Sequence, residues 1–245
     1  MTAAYRFPER LREGLITSRP NRFIMMVEVG GRTVKCHCPA TGRIGSLHFK
    51  DIPCLISRSD KPGRKTECTV EAISLDQPKH KGKKWVGINQ VDANRYVEFF
   101  LRNGSLSDMV PGGEAALREQ RLGKSRIDFA VGNAYVEVKT LLMDLPCTGH
   151  PHCRKVMPKF TSFQRLINHF SELAMSLKKG KRAILLICYL YDAQPFRVPK
   201  PEKGTELILR AAKMAAMAGV ENWQINLKVD EEGVALARHF PLELF

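Results

Sequence analysis

Between Leu117 and Thr140 the chain carries three short strand-like runs in succession, Leu117–Leu122, Arg126–Val131 and Ala134–Thr140, and Gly132-Asn133 joins the last two. Such a dipeptide suits a two-residue hairpin, so the second and third runs fold back on each other. Strand side chains alternate faces, which sends Glu137 and Lys139 to the same side, and Asp128 lies on the partner strand. Folding therefore gathers two carboxylates and one ammonium. Two carboxylates can hold a hard cation such as Mg²⁺ or Mn²⁺, and a nearby lysine can orient or help deprotonate a water that attacks phosphorus. The alternative is that Asp128 and Glu137 pair with Arg126 and Lys139 across a solvated sheet face, where ion pairs are common and weak.

The flanking segments limit how this hairpin is embedded. Asn94 to Arg102 reads as a helix with Tyr96, Val97, Phe99, Phe100 and Leu101 as its apolar surface. Beyond the hairpin, Phe163, Leu166, Ile167, Phe170, Leu173, Ala174 and Leu177 recur at helical spacing, and Gly180 can end that helix. Ala183 to Tyr191 is a continuous apolar run of the kind found in a buried central strand. Thr205 can cap a last helix with Leu207, Ile208, Ala211, Met214 and Ala218 on one face, and Asn222 to Val229 is a last strand. The order from Asn94 is helix, three strands, helix, strand.

Residues before Asp92 have a different character. Leu11–Thr17, Arg22–Val29, Arg32–Cys38, Pro53–Ser57, Glu67–Leu75 and Trp85–Asn89 are short strand candidates separated by turns, with no clear helix among them. That pattern predicts a small β-barrel, with the oligonucleotide-binding (OB) barrel the natural candidate. The expected division is an all-β OB-like barrel over 1–90 and an α/β unit over 91–245.

Lys plus Arg number 39 against 25 Asp plus Glu, a formal charge of +14. Such an excess suits a polyanion, and its clustering at Lys61–Lys65, Lys79–Lys84, Arg154–Lys159 and Lys178–Arg182 suits a nucleic-acid backbone. Candidate contacts are Arg22, Arg43, Lys83, Lys84, Arg126, Arg165 and His169, with Phe23, Phe49 and Trp85 either stacking on bases or buried in the barrel. Arg165 and His169 are one helical turn apart and either touch phosphate or form a solvated face. A membrane partner is not expected, because the apolar run at Ala183–Tyr191 is too short to span. The start MTAAYRFPER has no secretory core, and seven irregularly spaced cysteines do not form a disulfide framework, so a reducing cytoplasm is expected. Oligomeric state is open, a homodimer included.

Two loops add candidates. His37 to Ser46, HCPATGRIGS, either cradles a phosphate on backbone N–H groups or is a barrel loop whose glycines serve the backbone alone. Cys147 to Cys153, CTGHPHC, has donors of the right type for zinc but neither a Cys-x₂-Cys pair nor a second cluster, so structural Zn²⁺ is not expected.

The order of elements, with Asp128 and Glu137-Val138-Lys139, resembles the PD-(D/E)xK nuclease superfamily. The resemblance implies Asp128 and Glu137 as metal ligands, the Val138 carbonyl in the same shell, Lys139 as the group that assists the attacking water, and Glu119 as an extra acid reaching the metal directly or through water. A closer resemblance spans nearly the whole chain. RFIMMVEV (Arg22–Val29), HCPATG (His37–Gly42), WVGINQVDANRYVE (Trp85–Glu98), RLGKSRIDF (Arg121–Phe129), YVEVKT (Tyr135–Thr140) and GKRAILL (Gly180–Leu186) resemble, in order, the sugar fermentation stimulation protein A family. It implies an OB barrel followed by a PD-(D/E)xK-like domain, DNA binding without marked sequence preference and, through the family name, a link to sugar (maltose-type) metabolism. Ala40 stands where the family motif has Asn, and Leu166 and Asn168 replace a Gly and a Lys in the long helix, where Arg165, His169, Glu172 and Leu173 match. The expected function is a metal-dependent nuclease acting on DNA or RNA. The alternative is a non-catalytic, nuclease-derived DNA-binding regulator.

Overall fold

A computed structural model of the chain describes residues 3–40, 42, 44–58, 63–142, 145, 151–153, 164–198 and 206–245, without the side chains of 164–166. Its strands are Ala4–Arg6 (β1), Arg12–Asn21 (β2), Ile24–Val29 (β3), Arg32–His37 (β4), Ile52–Arg58 (β5), Cys68–Ser74 (β6), Trp85–Gly87 (β7), Leu117–Leu122 (β8), Ser125–Val131 (β9), Ala134–Thr140 (β10), Arg182–Tyr189 (β11), Glu221–Val229 (β12) and Gly233–Pro241 (β13). Its α-helices are Ala93–Arg102 (α1), Gln164–Leu177 (α2) and Glu206–Met217 (α3).

Strands β2 to β6 form a five-stranded barrel in the order β4-β3-β2-β5-β6, closed where β4 meets β6 through Cys36↔Cys68 and His37↔Thr69. Closure follows from local features. Gly30 and Gly31 both take positive φ, 57° and 75°, the twist that joins β3 tightly to β4. Register shifts between Ile16 and Ser18 and between Ser18 and Asn21 mark irregularities along β2, of the kind that bend a strand around a barrel. Met25, Val27, Cys36, Ile52, Cys54, Ile56 and Val70 fill the interior.

The second sheet runs β1-β13-β12-β11-β10-β9-β8. Its centre, β10-β11-β12, is parallel and its flanks are antiparallel. The central strand β11 is apolar from Ala183 on because both faces are covered. On one face Tyr96, Val97, Phe100 and Leu101 of α1 share a core with Phe129, Val136, Ile184, Leu186 and Cys188. On the other, Phe170, Leu173 and Ala215 of α2 and α3 meet Ile127, Ala183 and Leu185. No helix among the described residues is long and apolar enough to cross a membrane.

Three expectations need correction. Ala4–Arg6 pairs with β13, so this stretch of the 1–90 unit belongs to the second sheet, where it covers an edge strand. Strand β13 was not foreseen, nor was β1, which at three residues is too short to show a period. On α3 the face turned inward is Ile208, Ala211, Ala212 and Ala215, while Leu207 and Met214 are 72% and 61% exposed. The small alanines let α3 approach its neighbours closely and decide its rotation. Thr205, the expected cap, lies outside the described residues.

Barrel and second sheet share apolar cores. Leu11, Leu55, Ala72 and Trp85 pack in the cluster that holds Phe100 and Leu190, and Tyr189 and Tyr191 pack into the barrel cluster. At this junction Glu71 is buried and accepts hydrogen bonds from Ser57 Oγ at 2.5 Å and Asn89 Nδ2 at 2.7 Å. Burial pushes its carboxyl above the ordinary range; those two bonds counteract this, and the Asp92 charge adds to the rise. A carboxyl raised in the fold keeps its proton longest in the native state. Stability therefore falls as pH climbs from the ordinary carboxylate value through the raised one. In Glu71→Gln the amide oxygen takes the Asn89 bond and the amide N–H₂ donates to Ser57, whose hydroxyl accepts equally well. This variant is expected to melt about 2–4 °C above wild type at neutral pH, the shift produced by roughly 1 kcal/mol in a chain of this size. The difference should vanish as the pH of thermal melts is lowered below the ordinary carboxylate value.

Candidate functional site

Strands β9 and β10 pair through Ala134↔Val131, Tyr135↔Ala130 and Val136↔Phe129, where the ladder stops. Its next rung would set Glu137 opposite Asp128. In place of a backbone rung, Val138 N–H donates to Asp128 Oδ2 at 2.8 Å. The other oxygen, Oδ1, accepts from Asn94 Nδ2 of α1, also at 2.8 Å. The N–H and C=O of one strand residue point to the same edge, so the Val138 carbonyl lies on the Asp128 side of β10.

Glu137 lies deeper, 1% exposed, while Asp128 and Lys139 are half-buried. Two donors meet Glu137 Oε1, the Lys139 ammonium and His169 Nδ1 of α2, and these two nitrogens are 3.4 Å apart. Glu137 Oε2 is buried with no hydrogen-bond partner among the described residues. Burial acts to raise the Glu137 carboxyl, but the His169 hydrogen bond and the charge and hydrogen bond of Lys139 outweigh it and hold the group below the usual carboxylate range. Asp128 moves the other way: burial raises it, the neighbouring Glu137 charge raises it further, and the Val138, Lys139 and Asn94 contacts offset this only in part. Two carboxylates driven apart in this way, with one buried oxygen that no described donor meets, form a centre short of positive charge.

The hairpin and α2 are tied together one helical turn further on. Glu172 Oε1 accepts Lys124 N–H in the β8–β9 turn at 3.0 Å. Gly123 beside it has φ 57°, and a Cβ there would fall 1.9 Å from Glu172 Oε2, so a side chain at this turn would be strained and would displace the Glu172 carboxylate.

The structure brings together Asp128, Glu137, Val138 and Lys139. It does not bring Glu119 to them. Flanking pairs Arg118↔Phe129 and Gln120↔Ile127 set Glu119 opposite Asp128, but its φ of 52° breaks the alternation. Its carboxylate, 62% exposed, pairs with Arg126 at 3.1 Å. His169, expected as a phosphate contact, is instead buried on Glu137. Lys83 has a side chain only 7% exposed, bonded to Glu13 at 2.9 Å and to the His80 carbonyl at 2.8 Å, which removes it from the surface candidates. Lys84 remains exposed. Arg22 stacks at 4.5 Å over Phe23, which is 42% exposed, whereas Trp85 is buried and Phe49 lies under Arg19. Arg43, Cys147, His150 and the Arg165 side chain lie outside the described residues, and Cys153 forms a bridge with Leu47. Sequence reasoning missed Asn94 as a partner of Asp128. Its only signal in the sequence is a polar residue in the first turn of α1.

A closed OB-type barrel followed by an α/β domain with an acidic pair at the end of its hairpin defines a barrel-plus-restriction-endonuclease-like protein. The family model described as the SfsA N-terminal OB domain matches residues 17–88, and that described as the sugar fermentation stimulation protein RE domain matches residues 92–233. The chain belongs to the sugar fermentation stimulation protein (SfsA) family. It is 32% identical over 248 residues to the sugar fermentation stimulation protein homolog of Methylobacterium sp. (strain 4-46), covering 98% of each chain. A Synechococcus homolog is 31% identical over 235 residues, covering 94% of this chain and 92% of its own. The structure of Pyrococcus furiosus SfsA in complex with Ca²⁺ superposes with a TM-score of 0.73 at 22% identity, covering 100% of both chains.

Proposed function

We propose that this protein binds nucleic acid and hydrolyses phosphodiesters with a divalent cation, Mg²⁺ or Mn²⁺, held by Asp128, Glu137 and the Val138 carbonyl. The observation that carries this reading is the bare Oε2 of Glu137 beside a second carboxylate that is costly to ionise. Both features fit a hard cation with oxygen ligands. Among the described residues no three His, Cys, Asp or Glu side chains form a ready cage. That suits Mg²⁺, which keeps waters and takes substrate phosphate oxygens alongside one or two carboxylates. A bound ion supplies charge that offsets the build-up on phosphorus and on the leaving oxygen. The Ca²⁺ in the Pyrococcus furiosus relative is a cation of the same hard, oxygen-seeking type.

The chain's own residues divide the remaining work. Asn94 and the Val138 N–H hold Asp128 in place. Lys139, 29% exposed at its side chain, orients the attacking water from the edge of the site. The +14 charge draws the polyanion, and the exposed Arg22–Phe23 pair on the barrel offers a guanidinium and a ring to a single strand. DNA is the first expected substrate and RNA the second. The buried thiols of Cys36, Cys38, Cys54, Cys68 and Cys188, none of them in a disulfide among the described residues, fit a reducing cytoplasm. One observation favours a second reading, a binding regulator of sugar metabolism without catalysis: Glu137 sits beneath Lys139 and His169 at 1% exposure, so an ion has to enter past them.

The test is to incubate purified protein with single-stranded DNA, duplex DNA and RNA in Mg²⁺, Mn²⁺ or EDTA. Cleavage is expected with either metal and none in EDTA, with binding in EDTA that weakens steeply as salt rises. Binding without cleavage under every condition would leave the regulator reading, and a flat salt response would remove the phosphate-backbone component.

A further inference from the structure

Glu137 is an unequal carboxylate. One oxygen has two donors and the other meets none among the described residues, although both are buried. A carboxylate without a fixed anchor can turn about its last bond and exchange its oxygens. The donor that prevents this from α2 is His169, itself only 5% exposed. Its place is set by α2 as a whole. Glu172, three residues further along the same face, accepts Lys124 N–H of the β8–β9 turn at 3.0 Å and fixes the rotation of the helix. Phe170 and Leu173 pack the same helix onto Ile127 and Leu185. An ionised carboxylate oxygen only accepts, so the ring carries its hydrogen on Nδ1 and donates. A purely space-filling role would be served by an apolar residue, without the cost of burying a polar ring.

Resting on the metal-centre reading above, we propose that His169 is a positioning residue: by holding Oε1 of Glu137 from α2 it fixes Oε2 as the oxygen presented to the cation. It does not touch the reacting atoms. Because His169 shares the anchoring of Oε1, the Lys139 ammonium does not have to stay on Glu137 to keep it in place and is free to turn toward a water.

The test uses the full chain and Ca²⁺ as the probe, since binding is then read without turnover. Calorimetric titrations compare wild type with His169→Asn, His169→Leu, His169→Gln and Glu137→Gln, each checked by thermal melting in EDTA. The Asn carboxamide can place a donor where Nδ1 stood, Leu keeps volume without a donor, and Gln puts its amide nearer the Nε2 position. Ca²⁺ affinity is expected to fall about 10–100-fold in His169→Leu and His169→Gln, the usual cost of losing a partner that orients a ligand, and to stay within about threefold of wild type in His169→Asn. This order is independent of the order of melting temperatures, which a packing role alone would govern. Where the Leu variant does not fold, the Asn and Gln pair carries the comparison. Equal Ca²⁺ affinity in the Leu or Gln variant and wild type would overturn the positioning role while Glu137→Gln still abolishes binding. Equal affinity in Glu137→Gln and wild type would overturn the metal centre itself, and this inference with it.

Discussion

Glu137→Gln is expected to lower metal-dependent phosphodiester cleavage by more than about 100-fold, beyond the loss typical of an outer partner of a metal ligand. Binding to the same oligonucleotide in EDTA should stay within about threefold of wild type, because removing one buried charge leaves the basic surface that dominates backbone affinity unchanged. The asymmetry of the site sets this result. Lys139 and His169 both donate to Oε1, so the amide of the variant has to offer them its oxygen. Its N–H₂ is then forced into the place of Oε2, where a donor faces the position that needs an acceptor for a cation. The substitution keeps shape and inverts the chemistry at one atom. Cleavage assays at equal protein concentration, with the binding isotherm measured alongside, check it. Unchanged cleavage by Glu137→Gln would mean that another site or a contaminant is responsible.

How much of this was legible in the sequence depends on the range of the causes. The hairpin, its Gly132-Asn133 turn and the shared face of Glu137 and Lys139 follow from two-residue alternation, which is local, and so were readable. The barrel was readable from short strands and turn chemistry for the same reason. What escaped depends on one residue's backbone or on distant partners. Glu119 stands in register for the site, but its left-handed φ of 52° turns it out to Arg126, and no spacing rule reveals that. Lys83 reads as one cation in a basic run, yet Glu13, on a strand 70 positions earlier, takes it up. Asn94 and His169 come from helices before and after the hairpin, and only their packing on the sheet shows that the first holds an oxygen of Asp128 and the second an oxygen of Glu137. The α3 face was misjudged because hydrophobicity favours Leu207 and Met214, while close helix packing favours alanine.

Gly87→Ala is expected to destabilise the protein by about 1–3 kcal/mol, the usual cost of forcing an extra group into a packed core. That corresponds to a fall in Tm of about 2–4 °C for each kcal/mol in a chain of this size. The position lies where barrel and second sheet touch. Gly87 N–H donates to the Leu190 carbonyl at 2.8 Å, just beyond the end of β11. A Cβ at Gly87 would lie 2.6 Å from Leu190 Cβ, 2.9 Å from Val229 Cγ2 and 3.1 Å from the Leu190 carbonyl oxygen. Val229 can rotate; the Cβ and carbonyl of Leu190 are fixed by their backbone and cannot. β7 has little room to retreat either. Gly87 pairs with Ala72, Trp85 is packed in the core of the second domain, and Ile88 N–H is bonded to the Glu71 carbonyl at 2.8 Å. Relief therefore requires the barrel to move off the end of β11, and the cost falls on the interface between the domains. Gly42→Ala is the control, since a Cβ there meets no described residue within 4 Å, and it should stay within about 0.5 kcal/mol of wild type. Thermal and urea melts of the two variants make the comparison. If Gly87→Ala melts with wild type, the barrel and the second sheet do not meet at this residue, and the shared core drawn through Trp85 and Leu190 is wrong.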